Sequence, residues 1–296
     1  MKINSYSLSQ SWMQGQTARI AWDQLENKIF WMAKKVCPRF FQASEPGDFW
    51  KLLFMEREKL SRGRDVYESE EPGYLLGMYK GYLHMLQTIN DPLTPALYRE
   101  LHDVVSEGVY SNEEGSNIPL GFRSVSDGAE AFRVIWGETL SRAGYDELLQ
   151  RYKTYHYVDP MTGDLFYFLK EAMESPQNTI DLSGKRPSFL RLKPTRPETA
   201  EINVGACIHF FEQRPKRTEA EKLSAIVRLC QDLDQLHVFV DGNIRTTGIL
   251  LLNRLLIQQD LSPCILEDVN VLDCLSEREL VEKIWEGQAI FQRIFN

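Results

Sequence analysis

The strongest constraint on this chain is a pair of helical segments joined by a sharp polar turn, within residues 219–258. From Glu219 to Leu236, apolar residues recur at Leu223, Ile226, Cys230 and Leu233, three and four apart. That spacing is one stripe of a 3.6-residue helix, and His237 falls on its next position. Asp241-Gly242-Asn243 breaks the pattern with turn chemistry. A second helix is predicted from about Thr246 to Gln258. Its Ile249, Leu250, Leu251, Leu252, Leu255, Leu256 and Ile257 make it apolar almost all round, which predicts a buried central helix.

The turn concentrates reactive side chains. His237 sits at the rim of the first helix, and Gly242 to Arg245 wrap the start of the second. A helix N-terminus carries unpaired N–H groups and partial positive charge, so it is a ready anion site. Gly242 lets backbone approach a ligand closely. Asn243 offers an amide donor and Arg245 a planar fork for phosphate oxygens. Asp241 is placed to hold Mg²⁺, which takes one or two carboxylates together with substrate phosphates. An imidazole can act as a general base near neutral pH. A lone His on an apolar stripe is more often a packed core residue, and an isolated Asp-Gly-Asn is usually a plain turn. It is the combination of base, metal carboxylate and phosphate cradle that fits attack by a hydroxyl on phosphorus.

At these residues the sequence resembles the Fic/Doc family, whose signature reads His-x-Phe-x-Asp/Glu-Gly-Asn-Gly-Arg followed by a second Arg. His237, Phe239, Asp241, Gly242, Asn243 and Arg245 match, six of the nine positions from 237 to 245. The resemblance implies that His237 deprotonates the target hydroxyl, Asp241 binds Mg²⁺, and Phe239 anchors the loop in the core. It implies that Gly242, Asn243, Ile244 and Arg245 cradle the phosphates of a nucleotide donor, ATP or another nucleotide. Three positions depart: Val238 replaces the usual proline, Ile244 the second glycine and Gly248 the second arginine. In the family that second arginine grips the far phosphates of ATP. The Doc branch lacks it, also replaces the second glycine, and transfers a phosphoryl group in place of AMP. Some relatives transfer phosphocholine or UMP. The implied activity is therefore transfer of AMP or another phosphate-containing group to a Ser, Thr or Tyr hydroxyl of a target protein. Doc-like phosphoryl transfer and phosphocholine transfer stay open beside it. The rival of a different class is a Fic-fold interaction module without catalysis, motivated by Ile244 and Gly248.

Composition narrows the rest. A net charge of −8 argues against broad nucleic-acid or anionic-membrane binding, which need a basic face. A helix-turn-helix DNA reader over Gln235 to Arg254 fails for the same reason, since Arg245 and Arg254 are its only fixed cations from residue 245 onward. Cys37, Cys207, Cys230, Cys264 and Cys274 show no C-x-x-C spacing and read as reduced, buried thiols of a cytoplasmic protein. Met1 to Gln16 has no apolar signal-peptide core, and no run is long enough to span a membrane. Large helical additions to Fic enzymes are common in bacterial effectors, so the resemblance also brings in the host cytosol as a site of action.

The expected architecture is mainly α: an N-terminal helical region over 1–90 and a Fic-like bundle with a small β-hairpin flap over 91–296. Residues 17–36 predict an amphipathic helix with Ile20, Ala21, Leu25, Ile29, Met32 and Val36 inward and Trp22 and Trp31 as core aromatics. Further helices are predicted over Asp48–Leu60, Tyr74–Ile89, Ala96–Val105, Ala129–Leu140 and Tyr145–Tyr152. Asn90-Asp91-Pro92 is the predicted boundary, followed by Thr94 as N-cap and Pro95 at the first helical position. Leu101-His102 resembles an early Fic helix, with His102 read as structural. Gly108 to Gly128 and Ser175 to Pro197 are predicted loops. Pro119-Leu120-Gly121-Phe122-Arg123 resembles the family's flap stretch, with the second loop as the other candidate. Ser183-Gly184-Lys185-Arg186 lacks the rest of a P-loop. Ser126 to Glu130 is the nearest approach to the family's inhibitory motif and is incomplete. Ser276 to Glu279 forms a capping box that opens a last helix through Phe291, with Leu280, Ile284, Trp285, Gln288 and Phe291 closing the bundle.

Overall fold

The computed structural model describes residues 5–42, 49–53, 63–111, 115–124, 133–136, 139–155, 189–192 and 197–295. For residues 5–19, 66–67, 133–136, 149, 152–155 and 189–192 it describes the backbone alone. The protein is mainly α-helical. In chain order the helices are α1 (Ser5–Val36), α2 (Asp65–Glu70), α3 (Tyr74–Gln87) and α4 (Pro95–Ser106). A hairpin of β1 (Tyr110–Ser111) and β2 (Ser116–Asn117) follows, then β3 (Arg133–Trp136), α5 (Arg142–Tyr155) and β4 (Phe189–Leu192). The chain ends with α6 (Ala200–Gln213), α7 (Glu219–Leu236), a π-helical segment (Arg245–Leu251) running into α8 (Leu252–Gln258), and α9 (Glu277–Phe295). No helix among the described residues is long and apolar enough to cross a membrane.

Residues 245 to 257 are all buried, so the apolar helix is central, as its composition requires. Around it pack α3, α4 and α7, and α9 closes over α7. The polar groups buried along it are partnered. Tyr98 and Thr247 share a hydroxyl hydrogen bond of 2.7 Å. Arg254, fully buried, donates to the carbonyls of Met85 and Thr88 at the end of α3 and, at 2.7 Å, to that of Asp91 beyond it. The Met85 carbonyl is one of the orphan acceptors that a helix C-terminus leaves, here capped by a guanidinium. Burial pushes the Arg254 guanidinium down to about 10. Two helix ends follow the predicted chemistry. The Thr94 hydroxyl accepts from Leu97 N at 3.1 Å with Pro95 behind it. Ser276 and Glu279 exchange side-chain and backbone hydrogen bonds, including Ser276 N to Glu279 at 2.7 Å.

Several expectations need correction. Strand β3 lies where a helix over Ala129–Leu140 was expected. Arg-Val-Ile-Trp is rich in β-branched and aromatic residues, and it pairs antiparallel with β4 from Arg133↔Leu192 to Trp136↔Phe189. The predicted loop Ser175–Pro197 thus contributes a strand. Its Ser183–Arg186 cluster, and with it Ser126–Glu130, lies outside the described residues. A helix over Asp48–Leu60 shows within its described part as a single 3₁₀ turn, Phe49–Leu53. Helix α1 buries Trp22 and Ile29 as expected, packs Leu25, Met32 and Val36 partly against the core, and leaves Ile20 and Trp31 exposed. It also turns Glu26 inward, where it accepts from Trp50 N at 2.9 Å, the Tyr79 hydroxyl at 3.1 Å and Arg64 at 3.2 Å. Trp285 on α9 is likewise exposed, while Leu280, Ile284, Gln288 and Phe291 are buried. Helix α6, which buries Ala200, Asn203, Val204, Cys207, Ile208 and Phe211 at helical spacing, was not among the expected elements. All five cysteines are buried, and none forms a disulfide.

Candidate functional site

The loop between α7 and the π-helical segment is built against α4. Helix α7 ends at Leu236, and His237 takes the left-handed conformation with φ of 47°. Among the described residues only His237 and Asp260 do so without being glycine. That conformation costs a non-glycine residue about 1 kcal/mol or more and persists only where the surroundings enforce it. Here they do. Arg123 donates through Nε to the carbonyls of His237 and Phe239, at 3.2 and 2.9 Å. Its Nη2 reaches the Val240 carbonyl at 3.2 Å, and its backbone N–H donates to Val238 at 2.8 Å.

Phe239 is fully buried and sandwiched. Its ring lies 3.8 Å from that of His102 at 7° and 5.4 Å from that of Phe122 at 19°. His102, also fully buried, sits with Nε2 2.9 Å from the Asp241 carbonyl. A carbonyl only accepts, so Nε2 is the donor in this contact. The other ring nitrogen is 3.1 Å from Asp103, which also accepts from Gly121 N at 2.6 Å. Gly242 has φ of 78°, and a Cβ there would sit 2.7 Å from the Ser106 hydroxyl and 3.3 Å from His102. Only glycine lets the loop lie this close to α4.

The expected site residues come together at the two helix tips. The Asn243 amide nitrogen is 3.4 Å from His237 Nε2. An amide nitrogen only donates, so in this contact Nε2 is the acceptor, and its lone pair is engaged by Asn243. The same amide brackets Phe239, accepting from its N–H at 3.0 Å and donating to its carbonyl at 2.9 Å. Asn243 therefore braces the loop as well as facing the imidazole. Asp241 is one-third exposed, with Oδ1 accepting from Gly242 N and 3.9 Å from Arg245. Ile244 is partly buried, and its Cδ1 would meet a Cβ at Gly248 at 3.2 Å.

Arg245 is placed differently from an open phosphate fork. Its side chain is 3 % exposed, donates to Glu71 at 2.8 Å and lies 5.2 Å over the Tyr74 ring. Glu71 precedes α3, far from the loop in sequence, and nothing in the chain's periodicity points to it. Gly248 is enclosed: a Cβ there would lie within 3.4 Å of Ile244, Val269 and Leu272. Arg123 and His102 were visible in sequence only as a flap residue and a structural histidine; their grip on the loop was not. Among the described residues no group of three or more His, Cys, Asp or Glu gathers as a metal site.

Over 83 residues the chain is 41% identical to the phosphocholine transferase AnkX of Legionella pneumophila. The aligned stretch covers 28% of this chain and 8% of that relative. No protein-family model matches the chain. The chain is thus similar, over part of its length, to a transferase that moves a phosphate-containing group.

Proposed function

We propose that the 237–245 loop is a Fic-type transfer centre that moves a phosphate-containing group from a nucleotide donor to a hydroxyl side chain of another protein. The observation that carries this reading is the contact between His237 Nε2 and Asn243 at the start of the next helix. It places the imidazole beside a helix start suited to anions. In this reading the target hydroxyl displaces Asn243 from Nε2 and gives its proton to His237. The hydroxyl oxygen bonds the donor phosphorus as the bond to the departing nucleotide breaks, and the N–H groups from Asn243 to Arg245 receive the phosphate. Asp241 fits Mg²⁺, which needs a single protein carboxylate when phosphates and water complete its shell. When bound, the ion would neutralise charge on the transferring phosphate. Arg123 and His102 hold the loop in shape.

Among donors, a cytidine diphosphate ester of choline is favoured. The partial likeness to a phosphocholine transferase supports it. So do the enclosed Gly248 and the Arg245–Glu71 pair, which leave little to grip a third phosphate. AMP transfer from ATP and phosphoryl transfer are the other outcomes of one experiment. The protein is incubated with Mg²⁺, cell lysate and CDP-choline or ATP, and the modified target is weighed intact. A mass increase of phosphocholine, AMP or phosphate names the group. His237→Ala should lower the rate about a hundredfold to ten-thousandfold. No His237-dependent mass change with either donor would favour the non-catalytic interaction module.

A further inference from the structure

Away from the His237 loop, a cavity of about 830 Å³ opens between α5, α6, α7 and α9, and no residue from 230 to 248 other than Asp232 lines it. This volume falls within the range of small-molecule sites. One wall is aromatic, with Phe210 and Phe211 of α6. Other lining residues are cationic. Arg151 of α5 and Arg228 of α7 both converge on Asp232, at 2.9 Å each, with all three side chains 13 % exposed or less. Arg214, at the exit of α6, stands at the mouth with a third of its side chain exposed. Four arginines and three carboxylates line the space, a local excess of one positive charge in a chain whose net charge is −8.

We propose that this cavity binds a small amphipathic anion, with an apolar body on Phe210 and Phe211 and a carboxylate or phosphate head on Arg151 and Arg228. Asp232 holds both guanidiniums in place, so little rotamer freedom is lost when an anion arrives. Guanidinium is weakly hydrated and presents a planar fork that matches either oxyanion. The aromatic wall supplies the area that a fully polar anion could not use. The site is separate from the transfer loop, and it stands whether or not that loop transfers anything.

The test titrates the full chain with anilinonaphthalene sulfonate, an aromatic body carrying one anion, and with uncharged phenylnaphthylamine as control. Saturable one-to-one fluorescence binding of the sulfonate is expected, with the uncharged probe at least about tenfold weaker. Arg228→Gln and Arg214→Gln should each weaken the sulfonate about tenfold. Arg214 is the safer variant, since its exposed position puts folding at less risk, and circular dichroism checks both. Displacement by decanoate against decyl phosphate then separates a carboxylate head from a phosphate head. Non-saturable binding, equal affinity for both probes, unchanged affinity in a folded Arg228→Gln, or displacement by neither competitor would each overturn the proposal.

Discussion

At the scale of single residues, the loop is held by atoms that carry no reactivity. Asp103 is one of them. Burial pushes its carboxyl up, but the His102 hydrogen bond and the Gly121 N–H outweigh that and hold it below the usual value of 3.8. A lowered carboxylate contributes stability that is present above its unfolded pKa and is lost as pH falls through the folded one. Thermal unfolding of the wild type and Asp103→Asn should therefore differ at about pH 7 and converge toward about pH 3. A gap of equal size at both pH values would remove Asp103 from the loop's support. Glu71 makes the second residue-scale prediction. It occupies Arg245 at 2.8 Å, so an incoming phosphate must compete with a carboxylate. Glu71→Gln should lower the KM for the donor about threefold to tenfold while lowering Tm, because a nearly buried guanidinium loses its charged partner. An unchanged KM would show that Arg245 is not part of the phosphate grip.

Among the elements, what could be read from the chain was what depends on near neighbours. The helices at 74–87, 95–106, 219–236 and 277–295 follow from local periodicity and caps. The turn at 237–245 follows from its own residues. Helix α6 buries a regular stripe of Ala200, Val204, Cys207, Ile208 and Phe211, but Ile202 and Phe210 off that face blur it in the sequence. Strand β3 escaped because its partner β4 lies more than fifty residues on, where no local window reaches. Arg123, His102 and Glu71 escaped for the same reason: each reaches the loop only through tertiary folding. The π-helical segment gives a prediction of its own. Gly248 stands where the family's second arginine would be, yet Ile244, Val269 and Leu272 crowd it. Gly248→Arg should cost about 3 kcal/mol or more by overpacking and charge burial. Denaturant unfolding measures the loss, and ATP use should not improve. A stable Gly248→Arg that gained ATP transfer would show that this helix start has room for a triphosphate.

Across the whole molecule, both ends of the chain share one core. Phe41 lies 5.2 Å from Phe291 and 5.5 Å from Phe295, and Phe49 lies 5.2 Å edge-on from Tyr82 of α3. Residues on either side of Asn90-Asp91-Pro92 belong to the same buried cluster. Phe41→Ala should thus destabilise the entire protein by about 3–5 kcal/mol in a single transition. A biphasic unfolding curve, with the His237 loop surviving the first step, would argue for separable halves.

The lacing by Arg123 has a consequence for how such a centre works. One guanidinium, reached from the stretch that resembles the flap, ties together three carbonyls of the loop bearing the imidazole. Under the proposed reading, a target docked against Leu120 and Phe122 would therefore push on His237 as well. Target engagement and base alignment would then be a single mechanical event, so a poorly seated target would meet a misaligned imidazole.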